Sequence, residues 1–125
     1  MKMINPKRFS FSLSNAWNGI RYLYISQENF RIHLLVSLLV LVLGILVKIS
    51  RVEWILLLLV IGSVWILEAI NTVFERIFDL IENSYSQIVK VGKDVSAAAV
   101  LLSALFSVVI GLAIFLPPII NLFSR

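Results

Sequence analysis

From Val95 to Leu116 the chain runs for 22 residues without a formal charge, and Pro117-Pro118 closes the run. At 1.5 Å per residue a helix of that length measures ~33 Å, enough to cross a hydrocarbon core of ~30 Å. Two further runs share the pattern. Leu34 to Val47, extended by Ile32 and closed by Lys48, is slightly short of a span. Phe30 and a snorkelling Lys48 make up the difference. Trp54 to Leu67 is free of charge, and no Gly or Pro interrupts Trp65 to Asn83. That pattern predicts one continuous helix that leaves the bilayer and ends near Asn83-Ser84.

The predicted spans are therefore about 32–48, 54–74 and 95–116, with a tight reversal over Ile49–Glu53 and an interfacial connection over Tyr85–Lys93. In residues 1–31, Trp17, Ile20 and Tyr24 recur at spacings of three and four. This spacing predicts an amphipathic helix lying on the membrane, capped by Ser14, Asn15 or Ser10. The whole reads as one all-α membrane domain over residues 1–125. Composition agrees: 60% of the 125 residues are hydrophobic and 14% charged, with a mean hydropathy of +0.99. Soluble domains carry ~45–50% apolar and ~25% charged residues, and disordered chains fewer apolar ones still.

The net charge of +4 comes from basic residues at the ends of apolar segments, with no sustained basic stretch. That distribution fits anionic headgroups rather than nucleic acid. The N-terminal segment and the 75–94 connection carry eight of the eleven Lys and Arg (Lys2, Lys7, Arg8, Arg21, Arg31, Arg76, Lys90, Lys93), against Lys48, Arg51 and Arg125 opposite. The positive-inside rule then places the N terminus in the cytoplasm and the C terminus outside. Met1 to Arg31 lacks an apolar core between its charges, so no cleavable signal peptide is expected. There is no cysteine and a single histidine, His33, which excludes disulfides, thiolate chemistry and the usual zinc sites.

The informative residues are the polar ones inside the second helix. Glu68, Asn71, Glu75 and Asp79 follow at spacings of three, four and four, within an arc of ~80°. Counted from Trp54, Glu68 lies ~21 Å along the helix and Glu75 ~32 Å. The face thus starts below the headgroups and climbs past them, where a water-soluble substrate meets a lipid headgroup. Two readings stand side by side. Asp79 and Glu82 suit the exposed end of an emerging helix, whereas Glu68 with Asn71 suits function, because ionisable groups within a span are costly and are usually functional. An ion pathway would want polar groups in several spans, and spans one and three offer Ser37, Ser96, Ser103 and Ser107 only.

Lys93-Asp94 precedes the third span. It reads either as a snorkelling lysine with a helix-capping aspartate or as a cation set against phosphate beside the carboxylate face. Ala99, Ser103, Ser107 and Gly111 form a small-residue stripe suited to close helix packing. The isolated glycines make no P-loop, and the protein-kinase HRD and DFG sets are missing.

Four ordered elements resemble one family. Glu68-Ala69-Ile70-Asn71-Thr72 with Glu75 and Asp79 is similar to the E-x-x-N-x-x-x-E-x-x-x-D signature of prokaryotic diacylglycerol kinases and their undecaprenol kinase relatives. Lys93-Asp94-Val95-Ser96-Ala97-Ala98-Ala99-Val100-Leu101 resembles their K-D-x-x-(A/S)-A-x-V-L stretch. Trp17-Asn18-Gly19-Ile20-Arg21 and Asn29-Phe30-Arg31-Ile32-His33 resemble W-x-G-(L/I)-R and N-F-R-x-H. Order and spacing agree over about residues 8–116.

The resemblance implies a multi-pass protein of a bacterial-type inner or plasma membrane. It implies a homotrimer of three-span subunits with active sites between subunits, and an ATP- and Mg²⁺-dependent lipid kinase acting on diacylglycerol or undecaprenol. Carried over by position, Glu68 is the general base for the lipid hydroxyl and Asn71 positions groups beside it. Glu75 holds the magnesium bound to ATP and Lys93 meets the transferring phosphate, while Asp94 and Asp79 organise the site and Arg8 approaches the nucleotide. Phosphoryl transfer asks for this sort of positioning and charge neutralisation, and Mg²⁺ takes carboxylate oxygens together with phosphates.

The chain departs from the family pattern in two places. A second metal-ligand Glu is common three residues before the N-F-R phenylalanine; here Gln27 occupies that place and Glu28 follows it. Tyr85-Ser86-Gln87 lacks the His-Glu that often follows the tyrosine. The alternative expectation is a weak or inactive relative that acts as a membrane assembly or regulatory subunit.

Overall fold

A computed structural model describes residues 6–81 and 86–123. The described residues form four α-helices: α1 (Pro6–Ser26), α2 (Glu28–Val47), α3 (Arg51–Ile81) and α4 (Gln87–Phe123). The last three are long and apolar enough to cross a membrane, which makes this a multi-pass membrane protein. At 1.5 Å per residue, α3 measures ~46 Å and α4 ~55 Å, so both outreach a ~30 Å hydrocarbon core. Asn83-Ser84, the expected end of α3, lies outside the described residues, as do Lys2, Glu82, Tyr85 and Arg125.

α1 starts at Pro6, where a residue without an N–H sacrifices no helical bond. The expected caps Ser10, Ser14 and Asn15 therefore lie inside the helix. Phe9, Phe11, Trp17, Ile20 and Tyr24 are all exposed on the protomer, as suits a helix seated in the headgroup boundary. One extended residue, Gln27, separates α1 from α2. The Arg31 guanidinium reaches back across this break and donates to the carbonyls of Tyr24 (3.2 Å) and Ile25 (3.0 Å). Those are carbonyls that the end of a helix leaves without an intrahelical donor.

The α2–α3 reversal is shorter than the expected Ile49–Glu53, because α3 begins at Arg51. Lys48 adopts the left-handed conformation (φ 57°, ψ 51°). Lys48 N–H bonds Ile45 O at 3.3 Å, and Ile49 N–H bonds Gly44 O at 3.2 Å, the double closure of a Schellman end. Ser50 and Glu53 then start α3 as a reciprocal capping box, with the Ser50 N–H donating to Glu53 Oε2 at 2.6 Å and the Glu53 N–H to Ser50 Oγ at 3.3 Å.

α4 departs from expectation at both ends. It starts at Gln87, so residues expected in an interfacial connection are helical, and Asp94 lies inside the helix, where it caps nothing. It also continues through Pro117 and Pro118 to Phe123. Those prolines leave the carbonyls of Ala113 and Ile114 without their usual donors, a loss that membrane helices tolerate through local adjustment or neighbouring donors.

The protomer buries little of its apolar surface. Leu57, Ile114 and Phe115 form a small buried cluster, while Leu39, Leu59, Leu101 and Phe106 face outward. α4 packs chiefly against α3, and hydroxyl contacts mark the seam. Ser63 Oγ and Ser103 Oγ are 2.9 Å apart, and Ser107 Oγ donates to Val60 O at 3.3 Å. Nearer the start of α4 the Phe78 ring lies directly over Gly92, where an added Cβ would overlap it.

Gly92→Leu is expected to displace Phe78 and destabilise the fold by ~1–3 kcal/mol. Gly19→Ala, whose Cβ would meet nothing within 4 Å, is expected to add ~0.5–1 kcal/mol through helix propensity. Thermal unfolding in detergent checks both. Equal melting temperatures for Gly92→Leu and the parent would refute the close contact.

Candidate active site

The polar face of α3 turns toward α4 where the C-terminal half of α3 meets the first turns of α4. Helical spacing alone aligns Glu68, Asn71 and Thr72 with the buried Leu57 and Val64, and all five are buried. Glu68 is the most enclosed of the acids, at 2% exposure. The hydroxyl of Thr72 bonds back to Glu68 O at 2.9 Å and so spends its hydrogen on the helix backbone.

Asn71 Nδ2 donates to Glu75 Oε1 at 3.0 Å. Across the seam, Ser96 Oγ lies 2.7 Å from Asn71 Oδ1 and 2.9 Å from Lys93 O. Asn71 and Ser96, with Phe74, Phe78, Gly92 and Ala99, line a cleft of about 430 Å³ between α3 and α4. A further turn out, Lys93 Nζ bonds Asp79 Oδ1 at 2.7 Å. Asp79 stands ~38 Å along α3 from Trp54, beyond a ~30 Å hydrocarbon core. The hydrogen bond from Lys93 and the charge beside it hold the Asp79 carboxyl below its ordinary value.

Of the predicted site residues, the protomer thus joins Asn71 to Glu75 and Lys93 to Asp79. Gln27 is half-buried and opens α2 without a side-chain capping bond. Its height can be read from the contact of Trp65 Nε1 with Ser37 Oγ at 3.2 Å. Gln27 lies ten residues before Ser37 and Glu75 ten residues after Trp65, so the antiparallel pair sets both at one level, ~15 Å away. Glu28, Asp94 and Arg8 are exposed. No described hydrogen bond or ion pair joins any of these three to Glu68, Asn71 or Glu75.

Sequence reasoning passed over two contributors. Ser96 was visible as one of the few polar residues of the third span and lies three residues from Lys93. Arg76, counted for topology alone, stacks its guanidinium over the Tyr22 ring at 5.6 Å and so ties α1 to α3. No group of three or more His, Cys, Asp or Glu among the described residues could cage a metal ion. A single half-buried carboxylate, Glu75, fits a magnesium ion that arrives on phosphate oxygens, because Mg²⁺ keeps waters and takes one or two carboxylates.

The Lys93–Asp79 pair makes a pH-dependent contribution with a defined sign. A carboxyl held low stabilises the folded state above the ordinary aspartate range, and that contribution is lost as pH falls through the lowered value. Carbon-13 titration by NMR is expected to give Asp79 a midpoint below that of an unpaired aspartate, rising in Lys93→Met. An unchanged midpoint in the variant would remove the pair.

A family model for prokaryotic diacylglycerol kinase matches residues 14–115. The chain is 39% identical over 110 residues to an undecaprenol kinase of Bacillus subtilis, covering 88% of this chain and 89% of that protein. It is 37% identical over 112 residues to a diacylglycerol kinase of Synechocystis, covering 89% of this chain and 64% of that protein. With a diacylglycerol kinase of Escherichia coli it shares 28% identity over 94 residues, 75% of this chain and 77% of that protein. Three apolar helices, an acidic face at the mouth of the α3–α4 cleft and a match over most of the chain converge: this protein belongs to the prokaryotic diacylglycerol kinase family.

Proposed function

We propose that the chain transfers the γ-phosphoryl group of ATP to the hydroxyl of a membrane lipid, diacylglycerol or undecaprenol. The observation that carries this reading is the hydrogen bond of Asn71 to Glu75 on the face of α3 that also holds the buried Glu68, with Ser96 tying Asn71 to α4 one turn from the Lys93–Asp79 ion pair. The excess of basic residues on this side of the spans supports a cytoplasmic position for this end of the bundle, on the same side as ATP.

Glu68 takes the proton of the lipid hydroxyl as its oxygen bonds the phosphorus and the bond to ADP breaks. Its enclosure keeps water from competing for the phosphoryl group. Asn71 orients the Glu75 carboxylate through the 3.0 Å hydrogen bond. Lys93 faces the charge on the phosphate oxygens, and Asp79 holds its ammonium in place. Asp94 organises the site with Asp79, and Arg8 approaches the nucleotide from α1. Glu75 would hold Mg²⁺, with Gln27 or Glu28 beside it, and the ion would supply charge neutralisation on the phosphates.

An apolar groove runs between α1 and the α2–α3 pair, lined by Trp17, Tyr24, Phe30, Leu34, Trp65 and Ala69. Ala69 in its lining is the chain neighbour of Glu68, which suits a lipid chain whose hydroxyl must reach that carboxylate. Homotrimeric assembly completes the proposal, since Arg8 and Asp94 face outward on the protomer.

Phosphate transfer from labelled ATP in mixed micelles, with diacylglycerol and undecaprenol as separate arms, tests the assignment. The folded wild type is expected to label at least one lipid, and Glu68→Gln to lose ~10²–10⁴-fold in kcat. Labelling of neither lipid would overturn the kinase reading. Gln27→Glu is expected to lower the Mg²⁺ concentration needed for half-maximal rate, since a charged ligand replaces a neutral one at the height of Glu75. An unchanged requirement would exclude Gln27 from the metal position.

A further inference from the structure

Asn71 is 6% exposed, and its side-chain amide is engaged at both ends. Its nitrogen donates to Glu75 Oε1, so its oxygen points to α4, where Ser96 Oγ stands at 2.7 Å. An asparagine turns broadly about its last torsion, and one contact would leave the amide free to swing. Two contacts of opposite polarity allow a single orientation.

The Ser96 hydroxyl has a second acceptor, Lys93 O, at 2.9 Å, but only one hydrogen to give. Bonding to the backbone one turn back is open to any helical serine and would leave Asn71 Oδ1 enclosed without a donor. Leaving a buried acceptor unsatisfied costs more than a helical carbonyl loses by giving up its second donor. The shorter distance agrees, so the hydrogen goes to Asn71.

We propose that Ser96 is a positioning residue of the phosphoryl-transfer site, holding the Asn71 amide so that its nitrogen fixes the Glu75 carboxylate. The role rests on the lipid-kinase reading of the site. Ser96 touches neither substrate; it acts through Asn71. Its place on the first turns of α4, three residues from Lys93, makes the carboxylate geometry depend on how closely α4 lies against α3.

Ser96→Ala and Ser96→Thr in the full-length chain test the role, by steady-state kinetics in mixed micelles and by NMR of the Asn71 side-chain amide in asparagine-labelled protein. Ser96→Ala is expected to lower kcat ~10-fold with the KM for ATP and lipid unchanged. Ser96→Thr, which keeps the hydroxyl, is expected to retain kcat. The Asn71 amide protons are expected to exchange with water faster in Ser96→Ala than in the parent and in Ser96→Thr. A parental kcat in Ser96→Ala, a loss carried by KM alone, or Asn71 signals with unchanged shifts and exchange would each overturn the role. If the wild type labels no lipid, the kinase reading falls, while the Asn71 exchange rates still decide whether Ser96 holds the amide.

Discussion

Four contacts between α3 and α4 climb the bundle in step: Val60 with Ser107, Ser63 with Ser103, Asn71 with Ser96 and Asp79 with Lys93. As the α3 residue number rises, its α4 partner falls, which is one antiparallel register held from mid-membrane to the rim where Lys93 pairs with Asp79. Within lipid, leucine gains little by facing protein rather than acyl chains, so helix pairing depends on close approach and on polar contacts. Small residues on α4 allow the approach, and hydroxyls supply the contacts at ~0.6–2 kcal/mol apiece. A slip of one residue would turn this stripe ~100° off the seam and separate all four pairs at once.

The remaining helices hang on this pair. Trp65 receives α2 through Ser37 and packs its ring against Phe30 at 6.3 Å between centroids. Trp54 closes on Gly44 at the opposite end. α1 has no span of its own, and the Arg31 contacts with its last carbonyls and the Tyr22–Arg76 stack help to hold it to the bundle. Polarity is graded along the seam: isolated hydroxyls at mid-membrane, then a buried carboxylate and amide, then an open ion pair. That gradient lets charged chemistry reach lipid depth without placing an unpaired charge at the bilayer centre, where it is most costly.

The spans were legible because length and charge alone decide whether a helix can cross a bilayer. Glu68, Asn71 and Glu75 were legible because helical spacing gathers them on one face and carboxylates inside a span are costly. Helix ends were less readable. Pro117-Pro118 reads as a stop in water, yet the helix passes through it. Lys93-Asp94 looks like the start of a span because the apolar run begins there, although the helix begins at Gln87. The Ser50–Glu53 capping box was present in the sequence as S-x-x-E and shortens the reversal. Ser96 could be reached only by extending the small-residue stripe back from Ala99 to Gly92, since its partner is distant in sequence and pairing across helices leaves no local pattern. The site roles rest on position within the family pattern together with this geometry.

One α3–α4 register builds the site, and the chain's lack of native cysteine makes that register directly measurable. Ser63→Cys with Ser103→Cys places two thiols where the hydroxyl oxygens are 2.9 Å apart. Lipid phosphorylation by this double variant, before and after oxidation, is the decisive quantity. A disulfide formed within one chain, with the phosphorylation rate kept, is the predicted result. Failure to close within the chain, or loss of activity once the register is locked, would contradict it.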